Sequence, residues 1–139
     1  MKPITDTFVL VAEDCPARLG TVPPPGATPS RASLEHALLT AAPYALTLED
    51  LIYEVHLRHK ALVPEETAGG AAALRAALFA RPHPCMRASP LPKRYGWGVH
   101  HDGAGRLALH GVESGTYRAL AEGQAGGPAL VKAMRNRRG

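Results

Sequence analysis

The stretch RYGWGVHHDGAGRLALHGV, residues 94–112, decides the fold. Its two halves, RYGWGVHH and RLALHGV, alternate in character on either side of DGAG, a composition suited to a tight reversal, and so predict a β-hairpin. In the first half Tyr95, Trp97, Val99 and His101 share one side of the strand. Arg94, Gly96, Gly98 and His100 share the other, since successive side chains of a strand point in opposite directions.

Outward from the hairpin, TFVLVA (7–12) is rich in β-branched and aromatic residues and predicts a first strand. The five prolines and two glycines of residues 13–29 make a loop. In SRASLEHALLTAA, Leu34, Ala37, Leu38 and Ala41 recur at the spacing of one helix face, and Pro43 ends the run. Thr47 and Asp50 form a short capping box. LIYEVHLRHK (51–60) then alternates Leu51, Tyr53, Val55 and Leu57 with Glu54, His56, Arg58 and Lys60, which predicts a half-buried strand. Pro64, Glu65 and Glu66 resemble a helical first turn, weakened by Gly69 and Gly70, before a helix over 71–80 that Pro82 stops. Ser114 caps a helix through TYRALAE, and ALVKAMR predicts a last strand.

The order β-α-β-α-β-β-α-β has too few crossover helices for a fully parallel sheet, so the expected class is α+β, with a mixed or mostly antiparallel sheet and helices mainly on one face. At 139 residues the chain fits one domain, drawn over 1–131 with a basic tail at 132–139. Lys132, Arg135, Arg137 and Arg138 account for the whole net charge of +4, because the preceding residues hold equal numbers of acids and bases. The apolar run FVLVA is too short for a signal peptide or a membrane span. Together with two cysteines read as reduced thiols, Cys15 and Cys85, it points to the cytoplasm and to no membrane partner.

TFVLVAEDCP, APYALT, LIYEVHLR, PCMRASPLPKRYGWGVH, HGVESGTY and VKAMRNRR occur in this order along nearly the whole chain. In these segments the sequence resembles a family of small bacterial proteins known as domain of unknown function 6157, most specifically in PCMRASPLPKRYGWGVH. The resemblance implies no activity, cofactor or catalytic residue. Where such proteins tend to be Glu-rich, this chain has TAGGAAALRAAL.

Chemistry-bearing residues crowd between 83 and 103. Arg87, Ser89, Lys93 and Arg94 can surround an anion, Arg as a forked donor and Lys as a point charge. Gly96 and Gly98 would leave bare backbone beside Trp97 and His100, a place for a ligand or for a crossing element. The expected function is therefore binding of a small anionic ligand, with an enzymatic step left open, at a site made by the 85–94 loop and the 94–112 hairpin. Cys85 is a weak nucleophile candidate, since position 91 is Leu where a phosphatase-type loop needs Arg. Glu13 and Asp14, just after a strand, are weak acid–base candidates. His83, Cys85, His100, His101 and Cys15 lack the paired spacing of a zinc site, so neither a metal nor a cofactor is expected. His56, His59 and His110 read as strand residues at a surface. The alternative function is a nucleic-acid-binding or assembly module using Lys132, Arg135, Arg137 and Arg138 with the Arg and Trp surface. Nothing in the sequence sets the oligomeric state.

Overall fold

A computed structural model describes residues 1–137. Strand β1 (Thr7–Leu10) is followed by helices α1 (Arg31–Ala41), α2 (Leu48–His59), α3 (Gly70–Phe79) and α4 (Pro90–Arg94). Then come strands β2 (Trp97–His101) and β3 (Leu107–Gly111), helix α5 (Gly115–Ala121) and strand β4 (Ala129–Lys132). The four strands form one mixed sheet in the order β3-β2-β1-β4, antiparallel except for the parallel pair β1 and β4. The expected α+β class and mixed sheet are what the chain adopts, and the hairpin pairs Trp97 with Gly111 and His101 with Leu107.

One predicted element changes type. Residues 51–60 are not a strand: α2 runs through them, so the order is β-α-α-α-α-β-β-α-β. The capping box is the physical reason. Thr47 Oγ1 accepts from the Asp50 amide while the Asp50 carboxylate accepts from the Thr47 amide, which satisfies two free donors at the helix start. Leu48, Leu51, Ile52 and Val55 then fall at i, i+3, i+4 and i+7, a helix stripe that the accidental alternation after Tyr53 conceals. An exposed Glu54–Arg58 ion pair one turn apart supports the outer side.

Helix α1 has the predicted span but a rotated face. Ala32, Glu35 and Leu39 are buried, while Ala37 and Ala41 are exposed. The overlapping leucines 34, 38 and 39 permit either stripe, and a buried carboxylate at Glu35 is not an apolar signal. Ser30 caps this helix and Ser114 caps α5, each accepting from the amide three residues on.

Val9, Val99 and Leu107 point to one side of the sheet and pack with Leu39, Leu51, Met86 and Leu91 from the helices and the loop before α4. Each such side chain contributes about 1.5–3 kcal/mol on burial. On the opposite side Tyr117 of α5 sets its ring edge-on to Phe8 at 5.0 Å, and its hydroxyl oxygen accepts from the Val11 amide at 3.0 Å. The outer edge of β3 is covered by the segment after α1, where the Tyr44 amide donates to the Leu107 carbonyl and the Leu107 amide to that of Leu46. No helix among the described residues is long and apolar enough to cross a membrane.

Candidate functional site

The loop singled out in the sequence is a set of fastenings. Ser89 caps α4 and is fully buried; its hydroxyl donates to Glu35 Oε1 at 2.6 Å and accepts from the Leu91 amide. The other Glu35 oxygen accepts from Arg31 Nε at 2.9 Å. One carboxylate thus ties α1 to α4. Ser89→Ala removes the cap and one donor to a buried carboxylate, and the expected loss is about 2 kcal/mol in urea unfolding. A midpoint equal to wild type would contradict that role.

Arg87 Nε donates to the Lys132 carbonyl at 2.7 Å, and Arg94 Nε to Asn136 Oδ1 at 3.1 Å. The Lys93 carbonyl accepts from the Asn136 amide side chain at 2.8 Å. Arg87 and Arg94 therefore do not turn their guanidinium groups into one hollow; with the Lys93 carbonyl they moor the C-terminal segment. Ala133 there is buried and donates its amide to the Leu10 carbonyl.

The hollow itself is filled. A Cβ on Gly96, whose φ is +79°, would lie 2.3 Å from the Leu19 carbonyl oxygen. A Cβ on Gly98 would lie 2.5 Å from Phe8 Cζ and 2.6 Å from Tyr117 Cε2. The glycines admit neighbouring parts of the chain, the structural one of the two possibilities open to such a pair. Trp97 closes the loop after β1 by donating its indole N–H to the Thr21 carbonyl at 2.8 Å, with His36 5.2 Å from its ring.

The two acids after β1 are also committed. Asp14 accepts from the Asn136 and Arg137 amides, both at 3.0 Å, and the Asn136 hydrogen bond is the main cause holding its carboxyl below the usual range. Glu13 pairs with Lys132 at 2.7 Å and Arg135 at 3.8 Å, and the Lys132 hydrogen bond leads the causes that lower its carboxyl. Arg94, Arg137 and Asp14 do meet, around an open depression of about 550 Å³. Arg138 lies outside the described residues. Cys15 and Cys85 are free thiols, each half-buried against the core.

Five of the seven histidines fall in two groups. His100 Nδ1 and His110 Nε2 lie 2.8 and 2.9 Å from the Tyr44 hydroxyl, which can donate to only one of them, so the other ring must donate to the phenol oxygen. His110 does belong to a strand, but half-buried rather than at the surface. His83 Nε2 lies 2.7 Å from the Leu78 carbonyl. Among the described residues no three His, Cys, Asp or Glu side chains are grouped to hold a metal ion.

His56 and His59, expected on a strand surface, sit on α2 and face a cleft of about 320 Å³ between α1, α2 and the end of α3. Ile52, Val55 and Leu78 supply an apolar lining. His56, His59, Lys60, Arg81 and His83 surround it, with Arg31 and Glu35 at the α1 wall. Burial first, then the charges of Arg81, Lys60, His83 and His59, pushes the His56 imidazole below its ordinary value. The carboxylate within this ring, Glu35, is already spent on Arg31 and Ser89. Read as a helix, positions 52, 55, 56 and 59 form the i, i+3, i+4, i+7 stripe that would have revealed the wall; read as a strand, they scatter over both faces.

Residues 2–139 match the model of DUF6157, described as a family of unknown function. The chain belongs to this family. No curated protein and no solved structure matches the DUF6157 chain.

Proposed function

We propose that this DUF6157 protein binds a small organic anion, and that the cleft between α1, α2 and α3 is where it does so. The observation that carries the reading is the ring of cationic and imidazole side chains whose one carboxylate, Glu35, is held by Arg31 and Ser89, leaving Lys60 and Arg81 without a salt-bridge partner among the described residues. Positive groups held together without matching negative charge repel one another, and an anion relieves that repulsion. The cleft volume is at the small end of the range for ligand pockets, and its walls combine apolar surface with convergent polar groups. In the depression beside Arg94 and Arg137, by contrast, Asp14 brings its own negative charge. At the C-terminal segment Glu13 already answers Lys132 and Arg135, which reduces the unmatched charge open to a nucleic acid. The two free thiols support a cytoplasmic setting.

Lys60 and Arg81 are exposed, so the double variant Lys60→Met, Arg81→Met keeps the fold and tests the cleft. Phenyl phosphate and benzoate should each raise the melting temperature of the wild type, since a ligand that prefers the native state stabilises it. The double variant should lose at least about 1.4 kcal/mol of binding, a tenfold weaker affinity. Binding undiminished in the double variant, or no binding of either probe to the wild type, would sink the reading.

A further inference from the structure

We infer that the occupant of the α1–α2–α3 cleft is a phosphate monoester on a compact apolar body, and that His56 takes up a proton as it binds. This rests on the anion-binding reading above and adds the chemistry of the head group.

Two groups at the cleft, the Lys60 ammonium and the Arg81 guanidinium, have no salt-bridge partner among the described residues. One carboxylate would answer one of them. A phosphate monoester carries about −1.5 to −2 charges at neutral pH on three acceptor oxygens, so it answers both and still has lone pairs for imidazole N–H donors. Arg supplies a fork that fits an edge of the phosphate and Lys a mobile point charge that can reach a further oxygen. The body of the ligand is set by the apolar part of the lining: Ile52, Val55 and Leu78 offer hydrocarbon and no hydrogen-bonding side chain. The volume of about 320 Å³ favours a compact ester over a dinucleotide-sized cofactor.

Proton uptake follows from what faces His56. From its own helix come His59 and Lys60; from beyond α3 come Arg81 and His83; from α1 come Arg31 and the Glu35 carboxylate that Arg31 and Ser89 hold. In the empty cleft burial above all, and then the charges of Arg81, Lys60, His83 and His59, disfavour the imidazolium. A dianion placed among them reverses the balance, so the proton affinity of His56 rises on binding. The proton comes from solvent to the free imidazole nitrogen; no covalent bond is made or broken. Linkage fixes the sign: affinity is greatest below the free-state value and falls as pH rises from there to the bound-state value, at most tenfold per pH unit for one proton.

The test is calorimetry on the full chain at pH 7.5, with phenyl phosphate, benzoate and inorganic phosphate as probes, in two buffers of different ionisation heat. Phenyl phosphate should bind at least about tenfold more tightly than benzoate and than inorganic phosphate. Its heat should depend on the buffer, reporting net proton uptake, and in His56→Gln that dependence should shrink to the small contribution of the ester itself. Benzoate binding as tightly as phenyl phosphate would overturn the phosphate assignment while leaving anion binding intact. Buffer-independent heat, or uptake unchanged in His56→Gln, would overturn the role of His56. Failure of all three probes would overturn the anion-binding reading as well.

Discussion

Gly98→Ala should lower the stability of the protein by about 3 kcal/mol, and Gly96→Ala by at least as much. A methyl group at position 98 meets ring carbons of Phe8 and Tyr117 at 2.5 and 2.6 Å, far inside van der Waals contact. Neither ring has an easy retreat. Phe8 is fully buried between its neighbours in the sheet, and Tyr117 is buried with its hydroxyl oxygen held by the Val11 amide. At position 96 the obstacle is main chain, the Leu19 carbonyl at 2.3 Å, and the positive φ adds about 1–2 kcal/mol for any residue with a Cβ. Gly115 is the control: a Cβ there meets nothing within 4 Å, and alanine at a helix start should be neutral or stabilising by up to about 0.5 kcal/mol. Urea midpoints of the three variants decide the matter. A Gly98→Ala midpoint matching that of Gly115→Ala would show that the rings are free to move apart.

The second large effect is a loss of stability in acid. His101 is 1% exposed, its Nδ1 has no hydrogen-bond partner, and burial above all, with His100 adding to it, holds the imidazole down to about 4. In the unfolded chain a histidine titrates near 6.5. Between these values the unfolded state binds a proton that the folded state refuses, so stability rises with pH across this interval and is fully present above about 6.5. On acidification from pH 6.5 to 4 the cost grows to about 3 kcal/mol. Desolvation lowers His36, His56, His100 and His110 in the same direction, so they add a smaller slope of the same sign. His101→Leu keeps a similar volume and removes the titrating ring. Unfolding measured from pH 4.5 to 8 should show a flatter profile for this variant, with its advantage over wild type largest at the acid end. Equal slopes would rule out His101 as the source.

How much of this could be read in the residues depends on the reach of each interaction. The hairpin, β1 and the Ser114 cap were legible because their signals lie within a few positions: an alternating run, a turn, an oxygen three residues before an amide. Helix α2 carried two local messages that conflicted, the reciprocal Thr47–Asp50 cap and a short alternation, and the cap was the one that reported the backbone. The pair Gly96 and Gly98 signalled a close approach without saying by what. The answer, Leu19, Phe8 and Tyr117, comes from three segments that meet only once the sheet and α5 have packed. Glu35 was invisible as a core residue because its partner Ser89 is 54 positions away. The cleft was hidden for the same reason: its walls run from Arg31 to Pro84 and become neighbours through the packing of three helices. The anionic-ligand expectation survives as a proposal, attached to different side chains.

The parallel pairing of β1 with β4 has a consequence for biosynthesis. Thr7 finds its partner at Ala129, and the other neighbour of β1 is β2, in which His101 lies opposite Thr7. At a synthesis rate of about 5–20 residues per second, the apolar first strand is made roughly 6 to 25 s before its last partner. The complete sheet therefore cannot assemble until β4 has been made, and it is completed when Ala133 and Asn136 have docked. Ribosome-stalled chains lacking residues 129–139 should expose the TFVLVA segment to protease and to chaperone, and release of the full chain should end that exposure.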